Sequence, residues 1–262
     1  MNAEAMIRHN IEVHDKLADS YGKLYTAIYN PVEQARLREA LSRAIGHVRS
    51  GGLAAMDFGC GAGNLSDHLA ALGAEVTAAD VSPGFLRRMA SRGFKTAPLN
   101  GKDLREFPDA SFDVVATYSV LHHVPDYLGA VREMVRVLKP GGVLFIDHEA
   151  APATWQGQPA YSTYLQAWNK PRSLPARLTN LLKPEWYALR WNLLRNPRYK
   201  PEGDIHVWPD DHIEWDQVEA AAGVELLERT DYLLRRPECP QTVYEQFRER
   251  CVDMRLLIGR KA

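Results

Sequence analysis

The stretch LAAMDFGCGAGNLSDHLAALGAEVTAAD, residues 53–80, reads in five steps. An apolar run over 53–58 has the unbroken character of a strand buried on both faces. It stops at the turn Gly59-Cys60-Gly61-Ala62-Gly63. A helix follows, with Asn64 as a side-chain cap and Leu65, Leu69 and Leu72 as its apolar stripe. A second strand over 75–79 then leads into Asp80. Alternate glycines let a ligand approach the backbone, because no Cβ intervenes. The helix behind them presents free N–H groups and a positive dipole end. Asp80 lies about 20 residues beyond the turn, where a carboxylate can accept both hydroxyls of a ribose. The whole is a cradle for a nucleoside-bearing ligand.

Two ligand classes compete for it. A dinucleotide turn has the pattern G-x-G-x-x-G, whose third glycine lets helix and strand pack closely. Here that position is Asn64, and Gly63 comes one residue early. Asp57, just before the turn, would also repel a pyrophosphate. A nucleoside carrying an amino-acid end has no such conflict, because its ammonium group is drawn to a carboxylate. The spacing therefore disfavours a nicotinamide dinucleotide and an oxidoreductase.

Further along, Asp80-Val81-Ser82-Pro83, the segment LREFPDASFDVV (104–115) and Leu138-Lys139-Pro140-Gly141-Gly142 follow in order. With Asp57 and the glycine turn, these segments resemble the motifs of class I S-adenosylmethionine-dependent methyltransferases across residues 53–148. The resemblance implies S-adenosyl-L-methionine as cofactor and methyl transfer as the reaction. It implies that Gly59, Gly61 and Gly63 line the methionine part, with Asp57 near its ammonium group. Asp80 would hold the ribose, and Val81 would pack on the adenine. Asn100 and Gly101 take the adenine-edge positions, Asn standing where the family usually has Asp. Tyr118 and Ser119 would sit near the sulfonium, and Tyr21 would reach over the cofactor from a leading helical lid.

The chain has 262 residues, 45% of them hydrophobic, enough for one sizeable α/β core. A formal net charge of −1 gives no general pull toward nucleic acid. The three cysteines are far apart with no metal-ligand spacing, and no metal site is expected. The first residues lack a signal-peptide core and no run reaches membrane-spanning length, so a cytoplasmic protein is expected. Strands alternating with helices predict a doubly wound, mostly parallel seven-stranded sheet with its last strand antiparallel. Residues 1–48 read as an N-terminal helical lid. Residues 49–262 read as the cofactor-binding domain, with 149–212 as a helical insertion over the site after the fifth strand.

Within the insertion, residues 174–200 together with Arg172 carry seven basic side chains among leucines and two tryptophans. Such a segment suits an interfacial helix on anionic lipid, or a lid that closes over a soluble substrate with its arginines snorkelling. Either use points to a small-molecule acceptor, hydrophobic or lipid-linked. An oxygen acceptor needs a general base within hydrogen-bond reach. His123, after the fourth strand, and His148, at the end of the fifth, are the expected candidates, ahead of His122, Glu149, His206 and His212. A protein that binds the cofactor without catalysis is the alternative from another class.

Overall fold

The computed structural model describes residues 3–18, 21, 25–49, 53–168, 203, 205–208 and 211–262. Seven strands form one sheet: β1 (Ala54–Phe58), β2 (Glu75–Asp80), β3 (Lys95–Pro98), β4 (Phe112–Tyr118), β5 (Leu138–Ala150), β6 (Glu225–Tyr232) and β7 (Met254–Arg260). Their order is β3-β2-β1-β4-β5-β7-β6. Strands β1 to β5 pair in parallel, and β7 runs antiparallel between β5 and β6. The expected topology is the observed one.

Period-2 alternation divides the core between the two faces of the sheet. Val114 and Ala116 of β4, Val143 and Phe145 of β5, and Leu256 and Ile258 of β7 pack with α2 (Pro31–Gly46), which contributes Leu37, Ala40, Leu41 and Ala44. Their neighbours Val115, Leu144, Ile146 and Leu257 face the other way. They pack with Val131, Met134 and Val137 of α5 (Tyr127–Val137) and with Trp215 and Val218 of α8 (Trp215–Ala222). Leu37 and Leu41 have no exposed surface, and burial of each contributes on the order of 1.5–3 kcal/mol. Pro31, which reads in the sequence as a helix breaker, instead opens α2. Asn30 caps it by accepting from the amides of Val32 and Glu33.

β5 begins at Leu138, because the Lys-Pro-Gly-Gly turn is tied into the sheet. Leu138 pairs with Phe112, and Gly141 and Gly142 exchange backbone bonds with Lys261. The leading helix α1 (Ala3–Leu17) ends at Leu17, and 25–29 is a hydrogen-bonded turn. α1 lies against α4 (Pro83–Ser91), where Asp15 accepts from Ser82 Oγ and the Gly84 amide.

The expected insertion holds α6 (Ala153–Gln156) and α7 (Pro159–Trp168). α7 packs against α9 (Gln241–Phe247) in a small separate cluster around Tyr164, Phe247, Cys239 and Cys251. The basic stretch 174–200 lies outside the described residues. Among the described residues, no helix is long and apolar enough to cross a membrane.

Candidate functional site

β1 and β4 are neighbours, yet the chain leaves β1 toward β2 and returns at β4. Ligands in such sheets bind beyond the strand ends at this reversal. A cleft opens there, with one side toward solvent; its empty space, the open mouth included, is about 1210 Å³. Asp57, Gly59, Gly61, Asp80 and Val81 line it from the first two strands. Gly101, Tyr118 and His123 line it from beyond β3 and β4, and Tyr21 from the N-terminal region.

The glycine turn joins β1 to α3 (Asn64–Ala71). All three glycines have positive φ, at 74°, 48° and 92°. A Cβ at Gly59 would come within 2.6 Å of Val120, and one at Gly63 within 2.7 Å of the Met89 sulfur. These two are required by packing. A Cβ at Gly61 would meet no protein atom within 4 Å, because it would project into the cleft. Asp80 braces this turn: its Oδ2 accepts from the Gly61 amide and its Oδ1 from the Ser82 amide, both at 2.8 Å. Each oxygen keeps a second lone pair for a ligand hydroxyl. Burial raises the Asp80 carboxyl above the usual range.

Asp57 is almost fully buried, with Oδ2 accepting from the Ser66 amide at 2.9 Å and Ser66 Oγ at 2.6 Å. Burial lifts its carboxyl to about 7, against the hydrogen bonds from Ser66 and with help from the charge of Asp80. Such an acid is poised to ionise when a cation arrives. Asn64 is not the cap the sequence suggested. The cap position is Gly63, which has no side chain to offer, and Asn64 Oδ1 accepts from Gln34 instead. Asn64 lines the cleft, and its amide nitrogen is buried with no acceptor among the described residues.

Three expected site residues fall outside the lining. Gly63 acts behind the turn, as its contacts with Met89 show. Asn100 folds onto its own loop, Oδ1 accepting from the amides of Lys102 and Asp103, so Lys102 and Asp103 face the cleft in its place. His148, at φ 61°, is buried and stacked on Tyr118 with ring centroids 4.5 Å apart. It belongs to a polar network that joins α2 to β5. Arg36 bridges Glu33 and Asp147, Tyr118 Oη donates to Glu33, and Tyr232 Oη donates to Asp147. Against the burial that would raise it, bonds from His148 and Arg36 hold the Glu33 carboxyl at about 2.

The 3₁₀ turn Leu121–His123 carries His122 and His123. Glu149, fully buried in β5, accepts from the amides of Val120 and Leu121 at 2.8 Å each and pairs with His122 Nδ1 at 2.7 Å. Glu149 therefore positions the turn, with both carboxylate oxygens engaged within the protein. His212 lies between Trp155 and Trp208, at 4.9 Å from each ring. Helix α1 adds Ile7, Asn10 and His14 to the lining, none of them expected from sequence. Their i, i+3, i+7 spacing marks one helical face, and that mixed polar stripe was the available signal.

Residues 56–146 match a family model described as a methyltransferase domain. That stretch, about a third of the chain, is similar to a methyltransferase domain. A ubiquinone biosynthesis O-methyltransferase from Xanthomonas oryzae pv. oryzae is 38% identical over 102 residues, covering 37% of this chain and 43% of that protein. The match thus spans less than half the length of such curated relatives. An S-adenosylmethionine-dependent methyltransferase from Mesorhizobium loti shares the fold at a TM-score of 0.53 and 19% identity, over 85% of this chain and 96% of that one. The [4+2]-cyclase SpnF shares it at 0.57 and 18%, over 96% of both. The methyltransferase fold alone therefore does not fix the reaction.

The residues present fit the cofactor this domain implies. Gly61 leaves open space at the turn, Asp57 offers a carboxyl, and Asn64 offers a buried donor at the head of α3. These features suit the methionine end, and Asp80 suits the ribose.

Proposed function

We propose that the protein transfers a methyl group from S-adenosylmethionine to an oxygen of a small, apolar acceptor. The observation that carries this reading is one continuous cleft in which the glycine turn, Asp57, Asn64 and Asp80 face His123. Bound S-adenosylmethionine supplies a sulfonium methyl group open to in-line displacement. The protein's own work is positioning. Asp57 and Asn64 hold the amino-acid end, Asp80 the ribose hydroxyls, and Val81 the base, while Tyr21 and α1 exclude water. Holding two reactants in near-attack geometry can supply about 7–11 kcal/mol of the barrier.

His123 lines the cleft and is the group proposed to take the acceptor's proton. His148, held in its network, is proposed to support Tyr118 and the β5 end. The relatives named for ubiquinone biosynthesis favour a hydroxylated, quinone-like acceptor, and the apolar character of the cleft agrees with that choice. A lipid-linked acceptor, with 174–200 resting on an anionic membrane, is the finer form of the proposal.

Calorimetric titration with S-adenosylmethionine, S-adenosylhomocysteine and NADH tests the cofactor. Micromolar binding of the first two supports the reading, and binding of NADH alone sinks it. Labelled methyl transfer to hydroquinones, catechols and amines then tests the acceptor. Co-flotation with anionic vesicles at low salt tests the membrane form.

A further inference from the structure

Three imidazoles meet at the edge of the cleft. His122 and His123 come from the turn after β4, and His206 comes from the segment leading to α8. Each offers one ring nitrogen, and these nitrogens lie within 4.8 Å of one another. The ring centroids are 4.2, 4.8 and 4.3 Å apart. Three imidazoles on one tetrahedral ion at about 2.1 Å would place their centroids about 5.3 Å apart. The rings stand somewhat closer together than that, so taking an ion needs them to turn and spread slightly.

Two of the three are backed by carboxylates. His122 Nδ1 pairs with Glu149 Oε2 at 2.7 Å, and His206 Nδ1 pairs with Asp211 Oδ1. A carboxylate on Nδ1 sets the tautomer, so the lone pair a metal requires sits on Nε2. In His206 that Nε2 is buried, as is Nδ1 of His123. This carboxylate–histidine pairing is the usual second sphere of a metal-bound imidazole.

The cluster is also held from both sides. The side chain of Asn10 exchanges two 2.7 Å hydrogen bonds with the backbone of Ile205, and the Val207 amide donates to the His122 carbonyl at 2.7 Å. His206 is therefore clamped between α1 and the turn that carries the other two histidines.

We infer that His122, His123 and His206 form a binding site for a divalent transition ion, with Zn²⁺ the best match, whose remaining coordination positions open toward the cleft. Neutral imidazoles suit zinc, copper, iron or nickel, whereas magnesium and calcium take oxygen ligands. Three protein ligands leave room for water or for an acceptor oxygen, which the ion would acidify. With His123 bound to the ion, an ion-bound hydroxide would take the acceptor's proton in place of the free imidazole. That use rests on the proposed function. Ion binding does not, and it is measured without turnover.

The test uses untagged full-length protein, stripped with a chelator and titrated with Co²⁺ and Zn²⁺. One ion per chain is expected, at micromolar affinity or tighter, with visible Co²⁺ bands that Zn²⁺ displaces. His206→Ala should weaken binding by about 100-fold or more. Asp211→Asn, which keeps the ligand but alters its backing, should weaken it by about tenfold. Zn²⁺ should raise the melting temperature of the wild type and leave that of His206→Ala unchanged, while both bind S-adenosylhomocysteine alike, showing an intact fold. No bound ion, or equal binding by wild type and His206→Ala, overturns the inference and leaves the cluster as aromatic packing only.

Discussion

The two walls of the cleft are built at different sequence ranges. On the wall proposed to hold the cofactor, paired groups are close in the chain. Ser82 and Asp80 are 2 residues apart, Ser66 and Asp57 are 9 apart, and Gly61 and Asp80 are 19 apart. On the opposite wall, His122 and Leu121 reach Glu149 across 27 and 28 residues, and Asn10 reaches Ile205 across 195. The first wall is a folding unit of one strand–turn–helix–strand. The second exists only after α1, the turn after β4 and the segment before α8 have docked. Cofactor binding and acceptor chemistry should therefore separate under mutation.

The largest effect is expected on the local wall. Asp80→Ala removes the acceptor for two ribose hydroxyls and the brace on Gly61. Charge-assisted hydrogen bonds contribute about 1.5–3 kcal/mol each, so S-adenosylmethionine affinity should fall about 100-fold or more. Calorimetry with a circular-dichroism control measures this; affinity retained within threefold would remove Asp80 from the site.

Mutations of the far wall should give the opposite pattern. His123→Ala is expected to lower turnover at least about tenfold, the lower range for loss of a general base, with the cofactor dissociation constant nearly unchanged. His148→Ala should act through stability, because it strips a partner from the buried Glu33–Arg36–Asp147 network; a cost of about 1–3 kcal/mol is expected. Thermal melts beside single-turnover rates separate the two. If His148→Ala slowed turnover without lowering the melting temperature, their proposed roles would have to be exchanged.

Asn64 sharpens the contrast on a smaller scale. Its buried amide nitrogen points to a contact with the ligand's carboxylate, so Asn64→Ala should weaken S-adenosylmethionine by about tenfold. Adenosine, which lacks that carboxylate, should bind wild type and variant equally. An equal loss for both ligands would mean that Asn64 supports the loop through Gln34 alone.

The same division of range governs what can be read from the chain. The strand order, the glycine turn and Asp80 are legible because each rests on local periodicity or on a fixed short spacing. Asn64 was misread as a cap because a cap and a ligand donor both favour Asn at a helix start, and only the positive φ of Gly63 distinguishes them. The family resemblance puts Asn100 at the adenine edge, yet an Asx-type turn, which its side chain forms locally, directs it back onto the loop. His206 is only a lesser candidate base in the sequence, and nothing there places it beside His122 and His123. Its neighbours in space are fixed by Asn10 and by the carbonyl of His122, and no pattern around residue 206 encodes either.

The pH response of cofactor binding is the smallest effect and the most specific to the local wall. Asp57 has its carboxyl lifted to about 7 by burial, so below that pH it is mostly protonated in the free protein. Its surroundings are Ser66, which donates to it, and the acids Asp80 and Asp67, which oppose its ionisation. Tyr29, pushed up to about 12 by burial and by Asp57, stays neutral beside it. The ammonium group of the cofactor favours the ionised carboxylate, so binding lowers the Asp57 pKa and releases a proton. Affinity should rise as pH increases toward 7, by at most about tenfold per pH unit for one proton, and then level off. It should fall again above about 8, where an α-amino group begins to lose its charge. Calorimetry in two buffers of different ionisation enthalpy counts the proton directly. In Asp57→Asn both the release and the rise should vanish. A release that persists in that variant would assign the proton to Asp80, the other buried acid of the same wall.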